Sequence, residues 1–203
     1  MSFADASLQQ FIDDLASGSP TPGGGSAAAV SGAMAASLAE MVCHLTIGKE
    51  RYADVDAEMR GVRDRLADTR AALLELADDD AAAFDEVMAA FKMPKGDERS
   101  QAIQEASKHA AEVPLETAEH CMDVLEQAVI VSRKGNQNSI TDAGTAALVA
   151  HAALNAALYN VRINLGGITD EAFCREMTTR VEQLTGRAAE RLRETRAAVD
   201  EAL

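Results

Sequence analysis

Residues 26–47, SAAAVSGAMAASLAEMVCHLTI, combine the length of a helix with side chains that are almost all small. Alanine is the strongest helix former, and a helix with thin sides lets neighbouring backbones approach closely. Residues 140–165, ITDAGTAALVAHAALNAALYNVRINL, have the same character. Only 3% of the chain is aromatic and Trp is absent, whereas β-sheets favour aromatic and β-branched side chains. The two stretches therefore predict a core of closely packed helices.

Apolar residues recur at spacings of three and four outside these stretches, which is the pattern of further amphipathic helices. In chain order, the predicted helices cover residues 8–18, 26–47, 55–91, 97–113, 114–133 and 140–165, followed by a last one; Asp97 and Thr169 are predicted caps. We expect a break or kink near Asp78–Asp80, a kink or a new helix at Pro114, and an interruption at Gly186. No segment alternates with period two. The predicted fold is all-α: one domain, residues 1–203, forming a bundle of about six to eight helices without a sheet.

The charge balance excludes several classes of partner. The chain carries 33 acidic and 19 basic residues, a net charge of −14, and such a field repels nucleic acid backbones and anionic lipid headgroups. We therefore expect no nucleic acid partner and no membrane partner, and Glu40 and His44 argue against a membrane-spanning helix at residues 26–47. Three widely spaced cysteines and the lack of a secretory signal favour a cytoplasmic location. The acidic balance also suits a protein kept soluble at high salt, an alternative that the sequence leaves open.

Three consecutive glycines, Gly23–Gly25, precede Ser26 at the start of the first small-residue helix. The first backbone N–H groups of a helix have no partner within it, and without side chains around them they can bind an anion or an oxygen-rich ligand. No Gly-Lys-Ser/Thr sequence follows, so this is not a Walker loop. The alternative is that the glycines only let the chain turn tightly beneath a neighbouring helix. Gly24, Gly25 and Ser26 are the candidate binding residues.

Lys49 and Arg51 place two cations beside the phenol of Tyr52, directly after the first small-residue helix. In so acidic a chain this is a local inversion of charge, and it suits an anionic ligand. The alternative is that both cations complement the C-terminal end of the preceding helix, which stabilises it by about 0.3–1 kcal/mol each.

Residues 135–144, GNQNSITDAG, place many polar side chains before the second small-residue helix. Helix capping explains any one of them, but capping does not require so many together. A partly buried carboxylate at Asp142 can act as a base or stabilise a cation, and Asn136 and Asn138 lie close to it in sequence.

Asn160 and Arg162 are the candidate residues near the far end of the same helix. On an unbroken helix Asn160 lies about 27 Å from Asp142. One small ligand cannot then contact both residues of a single chain, although a dimer or a long ligand can bring both ends of the helix into use.

The histidines do not indicate a metal site. His109 and His120 each follow a glutamate by four residues, whereas helical di-iron proteins use a spacing of three. We therefore predict no metal.

Five blocks carry a family resemblance when they are taken in order: PTPGGGSAAA at residues 20–29, LTIGKERY at 45–52, VPLETA at 113–118, GNQNSITDAG at 135–144, and NVRIN at 160–164 followed by TDEAF at 169–173. Together they resemble the C-terminal domain family of formiminotransferase-cyclodeaminase over nearly the whole chain. The resemblance implies an all-helical bundle that forms a homodimer, acts on the one-carbon bridge of tetrahydrofolate, and needs no cofactor beyond that substrate.

Two reactions are known in this family. One closes formimidoyltetrahydrofolate to 5,10-methenyltetrahydrofolate with loss of ammonia, and the other hydrolyses the methenyl compound to 10-formyltetrahydrofolate. Animal members have a cysteine where this chain has Ser139, and its Asn-x-Asn-Ser sequence is more similar to microbial members, which include cyclohydrolases. The resemblance favours a methenyltetrahydrofolate cyclohydrolase, with the deaminase as the alternative. A non-catalytic helical dimer and a carboxylate-bridged metal bundle are the other hypotheses.

The resemblance implies a bipolar site, because the substrate carries a positive charge at the reacting carbon and carboxylates on its glutamate tail. Asp142 is the predicted catalytic carboxylate that orients or deprotonates water, and Asn138 is predicted to hold the pterin edge or the developing oxygen. The predicted substrate-binding residues are Gly24, Gly25, Ser26, Lys49, Arg51, Asn136, Asn160 and Arg162, of which the three cations are expected to bind the tail.

Overall fold

The computed structural model describes residues 2–203, which form six α-helices and three short 3₁₀ turns and contain no strand. The helices are α1 (Leu8–Leu15), α2 (Gly24–Thr46), α3 (Asp56–Lys92), α4 (Asp97–Lys134), α5 (Ile140–Leu165) and α6 (Glu171–Ala202). The all-α prediction is confirmed, and the number of helices lies in the predicted range.

Helices α2 and α5 are the centre of the bundle. α2 packs against α3, α4 and α5, and α5 also packs against α4 and α6. Close approach depends on the small residues: a Cβ atom added at Gly32 of α2 would lie 2.7 Å from the Cys121 sulfur of α4. The start of α2 lies beside Asn160 near the end of α5, and the end of α2 lies beside Asn136 just before α5 begins. The two central helices are therefore antiparallel.

Helix α2 is the one segment among residues 2–203 that is long and apolar enough to cross a membrane by length and composition, with a mean hydropathy of 1.4. In the bundle 56% of that apolar window is buried. Packing against α3, α4 and α5 accounts for its composition.

The predicted break in α3, the predicted new helix at Pro114 and the predicted interruption at Gly186 are wrong, because each lies inside one continuous helix. α3 runs unbroken through Asp78–Asp80, where two of the three carboxylates have donors on other elements and Asp79 is exposed to solvent: Asp78 accepts from the Phe3 backbone N–H at 2.8 Å, and Asp80 accepts from Ser26. α4 continues through Pro114, which is buried, so the two helices predicted on either side of it are one element. α6 likewise continues through Gly186.

Two predicted caps are displaced by one residue. Asp170, not Thr169, caps α6, since its side chain accepts hydrogen bonds from the backbone N–H groups of Ala172 and Phe173. Gly96 precedes α4, so Asp97 is the first residue inside that helix.

We expect Gly186→Ala to raise the free energy of unfolding by about 1 kcal/mol, because glycine weakens a helix interior and no atom lies within 4 Å of an added Cβ. Urea denaturation followed by circular dichroism measures this change. Gly32→Ala is the contrasting variant and should destabilise the protein, since its methyl group would meet Cys121 and Leu73. Equal effects of the two substitutions would contradict this account.

Candidate functional site

The predicted site residues form two groups at opposite ends of the α2–α5 pair. At one end, which we call the glycine end, lie Gly24, Gly25, Ser26, Asn160 and Arg162. At the other end, which we call the asparagine end, lie Lys49, Arg51, Asn136, Asn138 and Asp142. α5 is unbroken between Asp142 and Asn160, so the two groups are about 27 Å apart in one chain.

Asp80 of α3 organises the glycine end. Its Oδ2 accepts two hydrogen bonds from Ser26, one from the backbone N–H at 2.8 Å and one from the hydroxyl at 2.9 Å. A Cβ atom added at Gly25 would lie 1.9 Å from the other carboxylate oxygen, Oδ1. Gly25 is therefore required by the packing of Asp80. The backbone N–H of Ser26, directly after the glycine turn Gly23–Gly25, already has an anionic partner within the protein.

Asp80 was not among the predicted site residues, because three consecutive aspartates suggested a break in the helix. The periodicity of α3 contains the signal. Leu76 and Ala77 are buried, and Asp80 follows them by four and three residues, so all three lie on the inner face of one helix. An aspartate on an inner face needs a hydrogen-bond donor, and Ser26 donates two hydrogen bonds to Asp80.

A cavity of about 300 Å³ opens at the glycine end and is lined by Asp80, Gly24, Asn160 and Asn164, among others. Asn160 Nδ2 donates to the Ala156 carbonyl oxygen of its own helix at 2.9 Å. The corresponding nitrogen of Asn164 donates to the carbonyl oxygen of Ala110. Both carboxamide oxygens remain available as acceptors at the cavity.

Burial raises the pKa of Asp80 above its usual range, and the hydrogen bonds from Ser26 offset only part of this rise. Its surroundings are uncharged. The residues of α2, α4 and α5 that line the cavity with it are glycines, Ala110 and the two asparagines, and within residues 2–203 no second titratable side chain lines it. The exposed ion pair between Glu86 and His109 joins α3 to α4 outside this lining.

Asn136 holds the asparagine end together. Its backbone N–H donates to the Thr46 hydroxyl at 2.8 Å, and its Nδ2 donates to the Leu45 carbonyl oxygen at 3.0 Å. Its Oδ1 accepts from the backbone N–H of Asn138 at 3.1 Å. These bonds tie the polar loop to the end of α2, and a contact of Asn136 with substrate stays a prediction.

The structure brings the predicted cations and Asp142 to the same end of the bundle. Lys49 and Arg51 are exposed and form no ion pair with residues 2–203, and the Arg51 guanidinium lies 5.6 Å from the centre of the Tyr52 ring. The Tyr52 hydroxyl accepts from the backbone N–H of Gln137 at 3.1 Å, which joins this loop to the asparagine loop. Asp142 is half-buried in the first turn of α5.

A wider groove of about 810 Å³ lies between α3, α4 and α6 and contains none of the predicted site residues. Its acidic side chains are partly neutralised, because Arg65 pairs with Asp123 and Arg180 pairs with Glu119. The groove is therefore a weaker candidate for the functional site, because its charges are partly paired and the predicted site residues lie elsewhere.

The model of the formiminotransferase-cyclodeaminase family matches residues 7–183. This chain belongs to that family. A methenyltetrahydrofolate cyclohydrolase from Methylorubrum extorquens is 45% identical over 196 residues, which cover 93% of this chain and 94% of that protein. The formimidoyltransferase-cyclodeaminase of Rattus norvegicus is 34% identical over 90% of this chain but only 35% of its own length. The chain thus spans about a third of that animal relative.

The solved structure of a family member confirms the fold. The crystal structure of formiminotetrahydrofolate cyclodeaminase from Thermotoga maritima has a TM-score of 0.92, a sequence identity of 33%, and 98% coverage of both chains. The predicted family resemblance is confirmed as well.

Proposed function

We propose that this chain hydrolyses 5,10-methenyltetrahydrofolate to 10-formyltetrahydrofolate. The observation that carries the proposal is the 45% identity to a methenyltetrahydrofolate cyclohydrolase over nearly the full length of both proteins. The deaminase is the second candidate, since the structural neighbour from Thermotoga maritima is a formiminotetrahydrofolate cyclodeaminase. The proposal includes a cytoplasmic location and no cofactor beyond the folate.

The chemistry requires a group that moves protons beside the one-carbon bridge. Water adds to the methenyl carbon and loses a proton, the bond from that carbon to N5 breaks, and N5 gains a proton. A carboxylate can serve either proton transfer. Asp142 is the predicted base, and Lys49 and Arg51 are predicted to bind the glutamate tail at the same end of the bundle.

The test is to supply the purified protein with both folates in separate reactions. We expect loss of methenyl absorbance with formation of 10-formyltetrahydrofolate, and no ammonia from formimidoyltetrahydrofolate. Release of ammonia without hydrolysis would make the protein a deaminase. Neither reaction, together with no folate binding by calorimetry, would favour the non-catalytic helical dimer.

We expect the double substitution of Lys49 and Arg51 by Ala to raise KM about tenfold and to leave kcat within about threefold, because an interaction with the unreactive tail contributes equally to substrate and transition state. Arg175→Ala is the matched control, since that arginine is exposed and pairs only with Glu171 on α6. A fall in kcat at unchanged KM would show that the two cations do not bind the tail.

An exposed apolar face on α2 and α5 supports the homodimer. On α2 it includes Met34, which is 56% exposed, and on α5 it includes Leu148 and Ile163, which are 52% and 76% exposed. A groove of about 520 Å³ lies between α2 and α5 on this face and is lined mainly by alanines. Helices that are apolar on all sides are normally covered on all sides. A second copy of the chain covers this face, and a two-fold axis perpendicular to α2 would place the glycine end of one copy beside the asparagine end of the other.

We expect Leu148→Arg to convert the protein from a dimer, with a mass twice 21.4 kDa, into a monomer, because a charge in an apolar interface is left without a partner. Light scattering after gel filtration measures the mass. Met88→Arg is the control, since Met88 is 39% exposed on α3, outside this face. A monomeric wild-type protein, or a dimeric Leu148→Arg variant, would contradict the proposed interface.

A further inference from the structure

A groove between α5 and α6 is lined by basic side chains that have no acidic partner within residues 2–203. Its volume is about 500 Å³, and its lining includes His151 of α5 and Arg193 and Arg196 of α6. We propose that this groove binds a small organic anion that has an apolar body and a carboxylate or phosphate head group. Such a site is separate from both ends of the predicted folate site and does not depend on the proposed hydrolysis.

The two arginines of the groove differ from the other arginines of their helix. α6 carries six arginines, and four of them pair with glutamates: Arg175, Arg180, Arg187 and Arg191. Arg193 and Arg196 are exposed and form no ion pair with the part of the chain that the structure describes. Both unpaired arginines of α6 therefore lie in the lining of one groove, although acidic residues outnumber basic ones in the chain by 33 to 19.

His151 is exceptional in the same way. The chain has four histidines, and three of them have a glutamate oxygen at 2.8–3.9 Å: His44, His109 and His120. The ring of His151 instead lies 3.4 Å from the amide nitrogen of Asn155, one turn further along α5. Among residues 2–203, the titratable side chains that line the groove are three bases and one acid, Asp200. This balance is the reverse of that of the whole chain, and it favours an anionic ligand.

The rest of the lining favours a ligand with an apolar body. Ala189, Leu192 and Ala197 line the groove beside the bases, and the volume lies within the range of small-molecule pockets. Guanidinium groups bind carboxylates and phosphates through two parallel hydrogen bonds, and they also stack on aromatic rings. Arg193 and Arg196 are three residues apart and are therefore neighbours on the surface of α6. A flat anion of modest size matches both the charged and the apolar part of this lining.

The position of His151 separates the groove from the predicted folate-binding residues of the same chain. His151 is nine residues from Asp142 and nine from Asn160, so it lies about 14 Å along α5 from each of them. Nine residues are two and a half helical turns, which places His151 on the opposite side of α5 from both. Within the described residues, the groove shares no lining residue with the cavity at the glycine end or with the groove between α2 and α5.

The test titrates phenyl phosphate and benzoate into the purified protein at low ionic strength and follows binding by calorimetry. Both probes carry an aromatic ring and an anionic head group, whereas inorganic phosphate lacks the ring and benzyl alcohol lacks the charge. We expect at least one probe to bind with a Kd of about 1 mM or lower, and both control compounds to bind at least about tenfold more weakly. Tighter binding of phenyl phosphate would indicate a phosphate ester as the ligand, and tighter binding of benzoate a carboxylic acid.

A pair of double variants locates the binding. Replacing Arg193 and Arg196 together by Gln should weaken binding of the probe about tenfold or more, because the charge-assisted hydrogen bonds are lost. Replacing Arg175 and Arg187 together by Gln is the matched control, since it removes the same charge from α6 outside the groove. The control should bind the probe as the wild type does. All four arginines are exposed, and circular dichroism verifies that both variants keep their helix content.

Three results would overturn the inference. The first is that neither probe binds to the wild type. The second is that the variant without Arg193 and Arg196 binds within about threefold of the wild type, or that the control variant loses as much affinity. The third is displacement of the bound probe by 10-formyltetrahydrofolate, because the groove would then belong to the folate site.

Discussion

Gly25→Ala is expected to lower the free energy of unfolding by about 3 kcal/mol. An added methyl carbon would lie 1.9 Å from Asp80 Oδ1 and 2.5 Å from its Cγ, so the carboxylate has to move. That movement breaks both hydrogen bonds from Ser26 and leaves a buried hydroxyl and a helix N–H without their acceptor. Urea denaturation measures this loss of stability.

The neighbouring glycine is the control for this effect. A Cβ atom added at Gly24 would lie 3.4 Å from Asn160 Nδ2, an ordinary contact, so Gly24→Ala should stay within about 0.5 kcal/mol of wild type. In an Asp80→Ala background the cost of Gly25→Ala should largely disappear, because the clashing group is gone. A cost that is the same in both backgrounds would show that Asp80 is not its cause.

Asp142→Asn is expected to lower turnover by about 100- to 10,000-fold, the range found when a proton-transferring group is removed. Its effect on stability should be small, since the Asp142 side chain forms no hydrogen bond or ion pair with residues 2–203. The loss of methenyl absorbance measures turnover. Asp97→Asn is a matched control because Asp97 also lies in the first turn of a long helix, α4. Turnover within about threefold of wild type would leave Asp142 with a helix-stabilising role only.

Local signals predicted most of the helical framework. The second small-residue helix has its predicted limits, Ile140–Leu165, and the first is longer than predicted by two residues at its start. Errors arose where a local rule competed with packing. Pro114 costs a helix interior about 3 kcal/mol, yet α4 continues because Pro114 and Leu115 are buried in the bundle.

Residue types alone indicated three parts of the candidate site. These are the glycine turn, the cations Lys49 and Arg51, and the polar loop before α5. Residue types did not indicate the partners of these groups. Asn136 holds the polar loop to the end of α2 by donating a hydrogen bond to the carbonyl oxygen of Leu45, which is 91 positions away in sequence. No local pattern specifies that contact.

The order of residue types along the chain determined the helical class, the two small-residue helices and the family, because each depends on neighbouring residues or on short contiguous blocks. Tertiary structure alone decided that Asp80 lies against Ser26, 54 positions away. It also placed Gly24 beside Asn160 and joined the Tyr52 loop to Gln137, which assigned the remaining predicted residues to the two ends of α5. Periodicity along α3 can place Asp80 on an inner face, but hydrogen bonds between distant segments form only once the helices have packed, so no local pattern identifies Ser26 as its partner.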